Sequence, residues 1–189
     1  MVFIHDTEMS LRAAAALVNT LPDTDTEGVD RLATQADFDA YLDEYAYTGT
    51  FRRDDDELDA VRANRPRLRE LWNVDRDGAV PLVNAMLRDG RALPQLVIHD
   101  SFDWHIHATE PDAPLSTRML VESAMAFVDV IRSDQWDRVR VCSADDCESV
   151  YIDFSKNGSK RYCDTGNCGN RMNVMAYRRR KAEEAEENA

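Results

Sequence analysis

Cysteine is absent from the first 141 residues of this 189-residue chain, and all four cysteines fall between positions 142 and 168. That confinement excludes a disulfide framework spread through the body. The N-terminus, Met1-Val2-Phe3-Ile4-His5-Asp6, lacks a basic region followed by an apolar core, so no secretory signal is visible and the expected address is the cytoplasm. In such a chain a local cluster of paired cysteines reads as a metal site rather than as disulfides. No run approaches the roughly 20 apolar residues of a bilayer span, so no membrane partner is expected. Glycine is scarce, with seven scattered along the chain and no phosphate-cradling loop among them. Neither a Gly-x-Ser-x-Gly elbow nor a His-Glu-x-x-His helix occurs, and the chain is expected not to be an enzyme.

Positive charge is scarce too, and unevenly so. The whole chain carries 23 Lys and Arg against 36 Asp and Glu, a net charge of −13. Residues 1–137 hold 13 basic against 27 acidic side chains, whereas residues 138–182 hold 10 against 5. Four glutamates, Glu183, Glu184, Glu186 and Glu187, then close the chain. An acidic body with a basic appendage points to a separate partner for the appendage. Two domains are expected, residues 1–137 and residues 138–189.

The body reads as mainly α. Leu11, Ala14, Ala15 and Val18 share a helical face over about 8–20, which Pro22 and the polar run to Gly28 close. Thr34-Gln35-Ala36-Asp37 resembles a capping box for a helix with Phe38, Tyr41, Leu42 and Tyr45 on one face and Gly49 as its stop. Asp54 to Glu57 suit the positive end of a helix dipole. Leu58, Val61, Leu68, Leu71 and Trp72 continue an apolar stripe that Pro66 splits. A short helix from Val80 to Arg88 ends at Gly90. Leu96-Val97-Ile98 and Trp104-His105-Ile106-His107 then read as a β-hairpin around Asp100 to Asp103. A long helix over 117–133 carries Leu120, Val121, Ala124, Phe127, Val128 and Ile131, and residues 134–137 link to the appendage.

The appendage holds Cys142-x4-Cys147, fifteen intervening residues, and Cys163-x4-Cys168. Two local thiolate pairs supply the four ligands of a tetrahedral Zn2+ site, and four cysteines leave no open position for catalysis. Between the pairs, Ser149 to Phe154 alternates like a strand, Asn157-Gly158 signals a turn, and Lys160 to Cys163 is expected to return as the second strand. After Cys168 a helix is expected to about Ala185, with Met172, Met175 and Ala176 packed on that hairpin. The fold class is therefore mainly α with a β-hairpin (α+β) and a C-terminal treble-clef-like zinc finger.

Residues Val141 to Lys181 closely resemble the CGNR zinc-finger family, named for the run present here as Cys168-Gly169-Asn170-Arg171. Upstream, Leu17-Val18-Asn19-Thr20 resembles a signature of the helical ABATE domain found with this finger. Together the two resemblances cover nearly the whole chain. They imply a stress-induced transcription regulator, with a finger that binds DNA and an N-terminal domain that senses a small-molecule effector.

The expected DNA-contacting set is Asn170, Arg171, Asn173, Tyr177, Arg178, Arg179, Arg180 and Lys181 on the helix, with Lys160 and Arg161 before it. Arg and Asn read purine edges and Arg and Lys neutralise phosphates. RNA or a protein is the alternative partner. Asn170 and Arg171 have a second reading, as groups that hydrogen-bond the thiolates and hold the fold. The acidic tail either frays or folds back on the basic helix. Asn19 and Thr20 are candidate effector contacts or simple capping groups. His105 and His107 share one strand face, with His99 across the hairpin, and form a second metal site, part of a ligand pocket, or ordinary polar strand positions. The competing function is a small-molecule-binding or enzymatic helical domain whose finger is purely structural or protein-binding, with a deep polar pocket around Asn19 and His105.

Overall fold

The computed structural model describes residues 2–25, 27–45, 47–99 and 102–187; the side chains of 99, 102, 186 and 187 are not part of that description. Helix α1 spans His5–Val18 and buries Leu11, Ala14, Ala15 and Val18, the face that the periodicity picks out. A 3-10 turn at Pro22–Thr24 closes it. Helix α2, Gln35–Glu44, starts from Thr34 in a true capping box: Asp37 N–H donates to Thr34 Oγ1, and Thr34 N–H to the Asp37 carboxylate. Gly49 does not stop this helix, which ends at Glu44. Instead Gly49 holds φ +92°, where a Cβ would meet the Arg118 guanidinium and the Pro111 carbonyl at 2.2–2.4 Å.

Helices α3, Asp55–Arg62, and α4, Asn64–Arg69, are separated three residues before Pro66. Pro66 therefore sits in the first turn of α4, where its missing N–H costs nothing. Asp54 caps α3 through Glu57 N–H. Glu57 is buried, accepting from the N–H groups of Arg52 and Arg53, so this carboxylate organises the loop before the helix. Helix α5, Arg76–Asp89, begins a turn before the expected Val80, because Asp75 caps it through Gly78 N–H.

Strands β1, Gln95–His99, and β2, Phe102–His107, form the antiparallel hairpin. Its register pairs Leu96 with Ile106, Val97 with His105 and His99 with Phe102. The expected four- or five-residue loop is shorter, since Phe102 and Asp103 belong to β2; Asp100 and Ser101 lie outside the described residues. Helix α6, Leu115–Arg132, is the central element and buries Leu120, Val121, Ala124 and Phe127. Trp136 is no free linker residue: its ring packs 5.9 Å from that of Phe127, and Nε1 donates to Val74 O.

The appendage shares the body's core. Strands β3, Val139–Val141, and β4, Val150–Ile152, pair antiparallel, and Val150 and Ile152 join the same apolar cluster as Leu11, Val18 and Phe127. All three β4 side chains are buried, so the expected alternation is absent. Four polar contacts add to this docking. Trp72 Nε1 donates to Tyr151 O, Arg69 to Glu148 O and Ser149 Oγ to Thr24 O, while the Asn19 side-chain amide grips Val150. Helix α7, Cys168–Glu187, ends the fold. Among the described residues no helix is long and apolar enough to cross a membrane.

Candidate metal centre and nucleic-acid interface

The finger is built differently from the hairpin-between-pairs arrangement that the sequence suggests. The first cysteine pair lies inside the β3–β4 hairpin, between Val141 and Val150, and Cys142 N–H donates to Ser149 O. Residues 160–163 form no strand. Their backbone is taken up elsewhere: Asp153 accepts the Lys160 N–H, Tyr151 OH and Arg140 donate to the Lys160 carbonyl, and Ser143 N–H donates to the Arg161 carbonyl. Asp153 is fully buried and also accepts Ser155 N–H, so it ties both ends of the turn at Gly158 (φ +58°). Buried Arg138 bonds the carbonyls of Asp153 and Ser155. With its N–H so consumed, Lys160 offers no donor to start a return strand.

The two pairs converge. The four Sγ atoms of Cys142, Cys147, Cys163 and Cys168 all lie within 4.8 Å of one another, and all four residues are buried. Sγ of Cys147 lies 3.7 Å from that of Cys163, which lies 3.6 Å from Cys168. A disulfide requires about 2.05 Å. A tetrahedron of thiolates at about 2.3 Å from a central ion has edges of about 3.8 Å, close to both distances. The donor set thus fits Zn2+.

The surroundings support thiolates. Cys163 N–H donates to Cys142 Sγ at 3.4 Å, and Arg171 Nη2 to Cys168 Sγ at 3.2 Å. Arg171 also holds both Asp146 oxygens, and these bonds push its pKa further up while drawing that of Asp146 down. Without a cation, burial pushes the Cys142 thiol up and that of Cys168 up to about 12. Burial works the same way on Cys163, but bonds from Gly166 N–H and the neighbouring thiols outweigh it and leave that thiol lowered. Four facing sulfurs therefore need a central positive charge to ionise together.

The basic positions separate into two groups. Arg138, Arg140 and Arg171 bond within the finger and are committed to the fold, whereas Lys160 makes only an i,i+4 pair with exposed Asp164. Lys156, Arg161, Asn170, Asn173, Tyr177 and the run Arg178, Arg179, Arg180 and Lys181 are exposed. Lys156 carries no motif of its own and escapes sequence inspection. Met172 packs against the cysteine cluster, but Met175 is 57% exposed, so the expected apolar stripe does not rest on the hairpin. From Asn173 to Ala185 every side chain except half-buried Ala176 faces solvent. The tail neither frays before Glu187 nor folds back: Glu183 and Glu184 lie 3.8 Å from Arg179 and Lys181 within the same helix.

The remaining candidates do not form a single site. Asn19 Nδ2 donates to Val150 O at 2.8 Å, and Val150 N–H donates to Asn19 Oδ1 at 2.7 Å. Thr20 Oγ1 donates to Leu17 O and accepts from buried Arg65, whose guanidinium also grips Asp30. Asn19 borders a groove of about 1040 Å³ between α1 and the finger. His105 and His107 line a different cavity of about 130 Å³, so among the described residues the two candidate pairs border separate spaces.

Residues 138–181 match the CGNR zinc finger, and residues 11–134 match the ABATE family, described as "Putative stress-induced transcription regulator". Among curated proteins none matches the chain in sequence. Since the second match spans most of the chain, this protein belongs to the ABATE family, with a CGNR zinc finger following the ABATE domain.

Proposed function

We propose that the chain is a DNA-binding, ligand-responsive transcription regulator in which a zinc-held finger presents α7 to duplex DNA. The observation that carries the reading is the exposed rod from Asn173 to Lys181, anchored at its base by Cys168 and Arg171. A major groove about 12 Å wide admits one α-helix. Asn170, Asn173 and Tyr177 sit along the outer side for base edges, and Arg178 to Lys181 with Arg161 and Lys156 neutralise phosphates. Arg171, bonded to Asp146 and Cys168, acts by holding the finger rather than by touching DNA, and Lys160 adds a backbone contact. The acidic body is repelled by phosphate, which turns the basic end toward the duplex.

In this reading Zn2+ is bound by Cys142, Cys147, Cys163 and Cys168 and is structural, because four thiolates close its shell. Reduced cysteines suit the cytoplasm. Residues 1–137 sense and residues 138–189 bind. The two are mechanically joined, since a shift of α1 moves Val150 through Asn19, and Cys147 lies three residues before Val150.

A salt titration on random duplexes tests the reading. Wild-type affinity is expected to fall steeply with salt. Arg178→Ala with Arg179→Ala weakens binding and flattens the log–log slope by about 2, near 0.9 per lost phosphate contact. Absence of salt-dependent duplex binding refutes it. The rival, a finger that binds protein, draws on exposed Val174 and Met175 and predicts an association insensitive to that double substitution.

A further inference from the structure

The β1–β2 hairpin has two unlike faces. Leu96, Ile98 and Trp104 are exposed, whereas His105 and His107, with part of Ile106, line the cavity against α1 and α6. Their Nε2 atoms lie 3.1 Å apart. His105 Nδ1 lies 2.8 Å from the Asp103 carbonyl, which only accepts, so Nδ1 carries the proton. In the neutral ring Nε2 of His105 then accepts a hydrogen bond from His107 Nε2–H, and an ion bound by both rings would replace that shared proton. A backbone carbonyl on the far ring nitrogen is the arrangement that orients a metal-ligating imidazole. Two imidazole nitrogens about 2.0–2.1 Å from one ion sit roughly 2.9–3.4 Å apart when adjacent in its shell, and 3.1 Å lies in that interval.

The walls select a cation. Glu122, Asp129 and Asp6 line the cavity and no Lys or Arg does. Thr7 Oγ1 fixes Asp129 with a 2.6 Å bond. The volume of about 130 Å³ accommodates an ion with several waters, each occupying about 30 Å³. Among the described residues only the cysteines already bring three or more donors within 4.8 Å, so the histidines form the preformed half of this second site. Glu122, on α6, lines the same cavity and is the carboxylate assigned as the third ligand, with water filling the rest.

We propose that His105 and His107, joined by Glu122, bind one divalent first-row transition ion in the helical body, apart from the four-cysteine centre. Two imidazoles and a carboxylate favour Zn2+, Ni2+ or Co2+ over Ca2+ or Mg2+. The ion would clamp the hairpin to α6 and supply the effector in the proposed function, while the site itself stands independently of DNA binding.

The test loads the full chain with zinc at the cysteines, removes excess metal, and titrates Ni2+ calorimetrically with metal content measured in parallel. Wild type is expected to bind a second equivalent. His105→Ala with His107→Ala abolishes it and leaves the first, and Glu122→Gln weakens it by about tenfold or more. A readout that needs no variant is the 15N spectrum of the histidine rings in wild type, where added Zn2+ shifts the Nε2 resonances of both. A wild type that holds one metal only, or a second equivalent unaffected by the double substitution, overturns the proposal. Duplex binding measured on the same samples separates that failure from a failure of the DNA reading.

Discussion

The body and the finger solve the same packing problem with different materials. Residues of the body bury Phe38, Phe127, Leu11, Leu17, Leu32, Leu68 and Leu71 completely, enough apolar surface to hold several helices together. The small cluster at the finger's base consists of four cysteines with Ala144 and Tyr151 and little else. So short a segment cannot offset its ordering entropy by apolar burial, and a bound ion supplies the difference. The hairpin of the finger is intermediate: Val150 and Ile152 borrow the body's core, and α7 borrows from nothing beyond its first turns. Stability is thus graded from α6 outward, and mobility is expected to increase in the same direction.

The sharpest way to break this comparison is to remove the ion. Chelation, or Cys168→Ser, is expected to cost the finger on the order of 10 kcal/mol of binding-coupled folding energy. Hydrogen exchange should then show residues 142–187 unprotected while α1 and α6 keep their protection. Equal loss in both regions would mean that the body depends on the metal as well.

A smaller effect probes the joint. Asn19→Ala leaves the Val150 N–H and carbonyl without their side-chain partner, and urea unfolding should report a loss of about 1–3 kcal/mol. If finger and body remain coupled in a metal-release assay of this variant, the amide is not what joins them.

Acid sharpens the contrast within the body. Hydrogen bonding to Arg65 holds the Asp30 carboxyl below its ordinary 3.8, so its contribution is complete above that value and is lost as pH falls through the lowered one. Asp30→Asn should lower stability at neutral pH and flatten the decline below about pH 4. A variant with an unchanged acid limb would show that other carboxylates carry it.

The smallest expected effect lies at the tail. Deleting residues 183–189 releases Arg179 and Lys181 from exposed pairs worth no more than about 1 kcal/mol, so duplex affinity should rise by a few-fold at low salt. No change would show that the glutamates do not compete with phosphate.

Local chemistry was legible wherever it acts over a few residues. The Thr34–Asp37 box, the α1 and α6 faces, the break near Pro66 and the cysteine spacing all follow from interactions within one or two turns. The misreadings share a cause. A good turn signal predicts a strand at Lys160–Cys163, but Asp153, Arg140 and Tyr151 take up the Lys160 backbone. For Arg171 the sequence leaves a base contact and a thiolate hydrogen bond open, and the bonds to Cys168 and to Asp146, 25 residues away, favour the second. Met175 has helical periodicity with no surface opposite it.

By itself the sequence determined the helical body, the four sulfurs and the arginine run, because periodicity, capping and ligand spacing are properties of neighbouring residues. Only the tertiary structure decided which cations are committed to the fold, that Asn19 joins α1 to β4, and that His105 and His107 meet over a cavity edged with carboxylates. Arg138 finds its carbonyls 15 and 17 residues away and Asn19 finds Val150 131 residues away, encounters set by the packing of whole elements rather than by any local pattern.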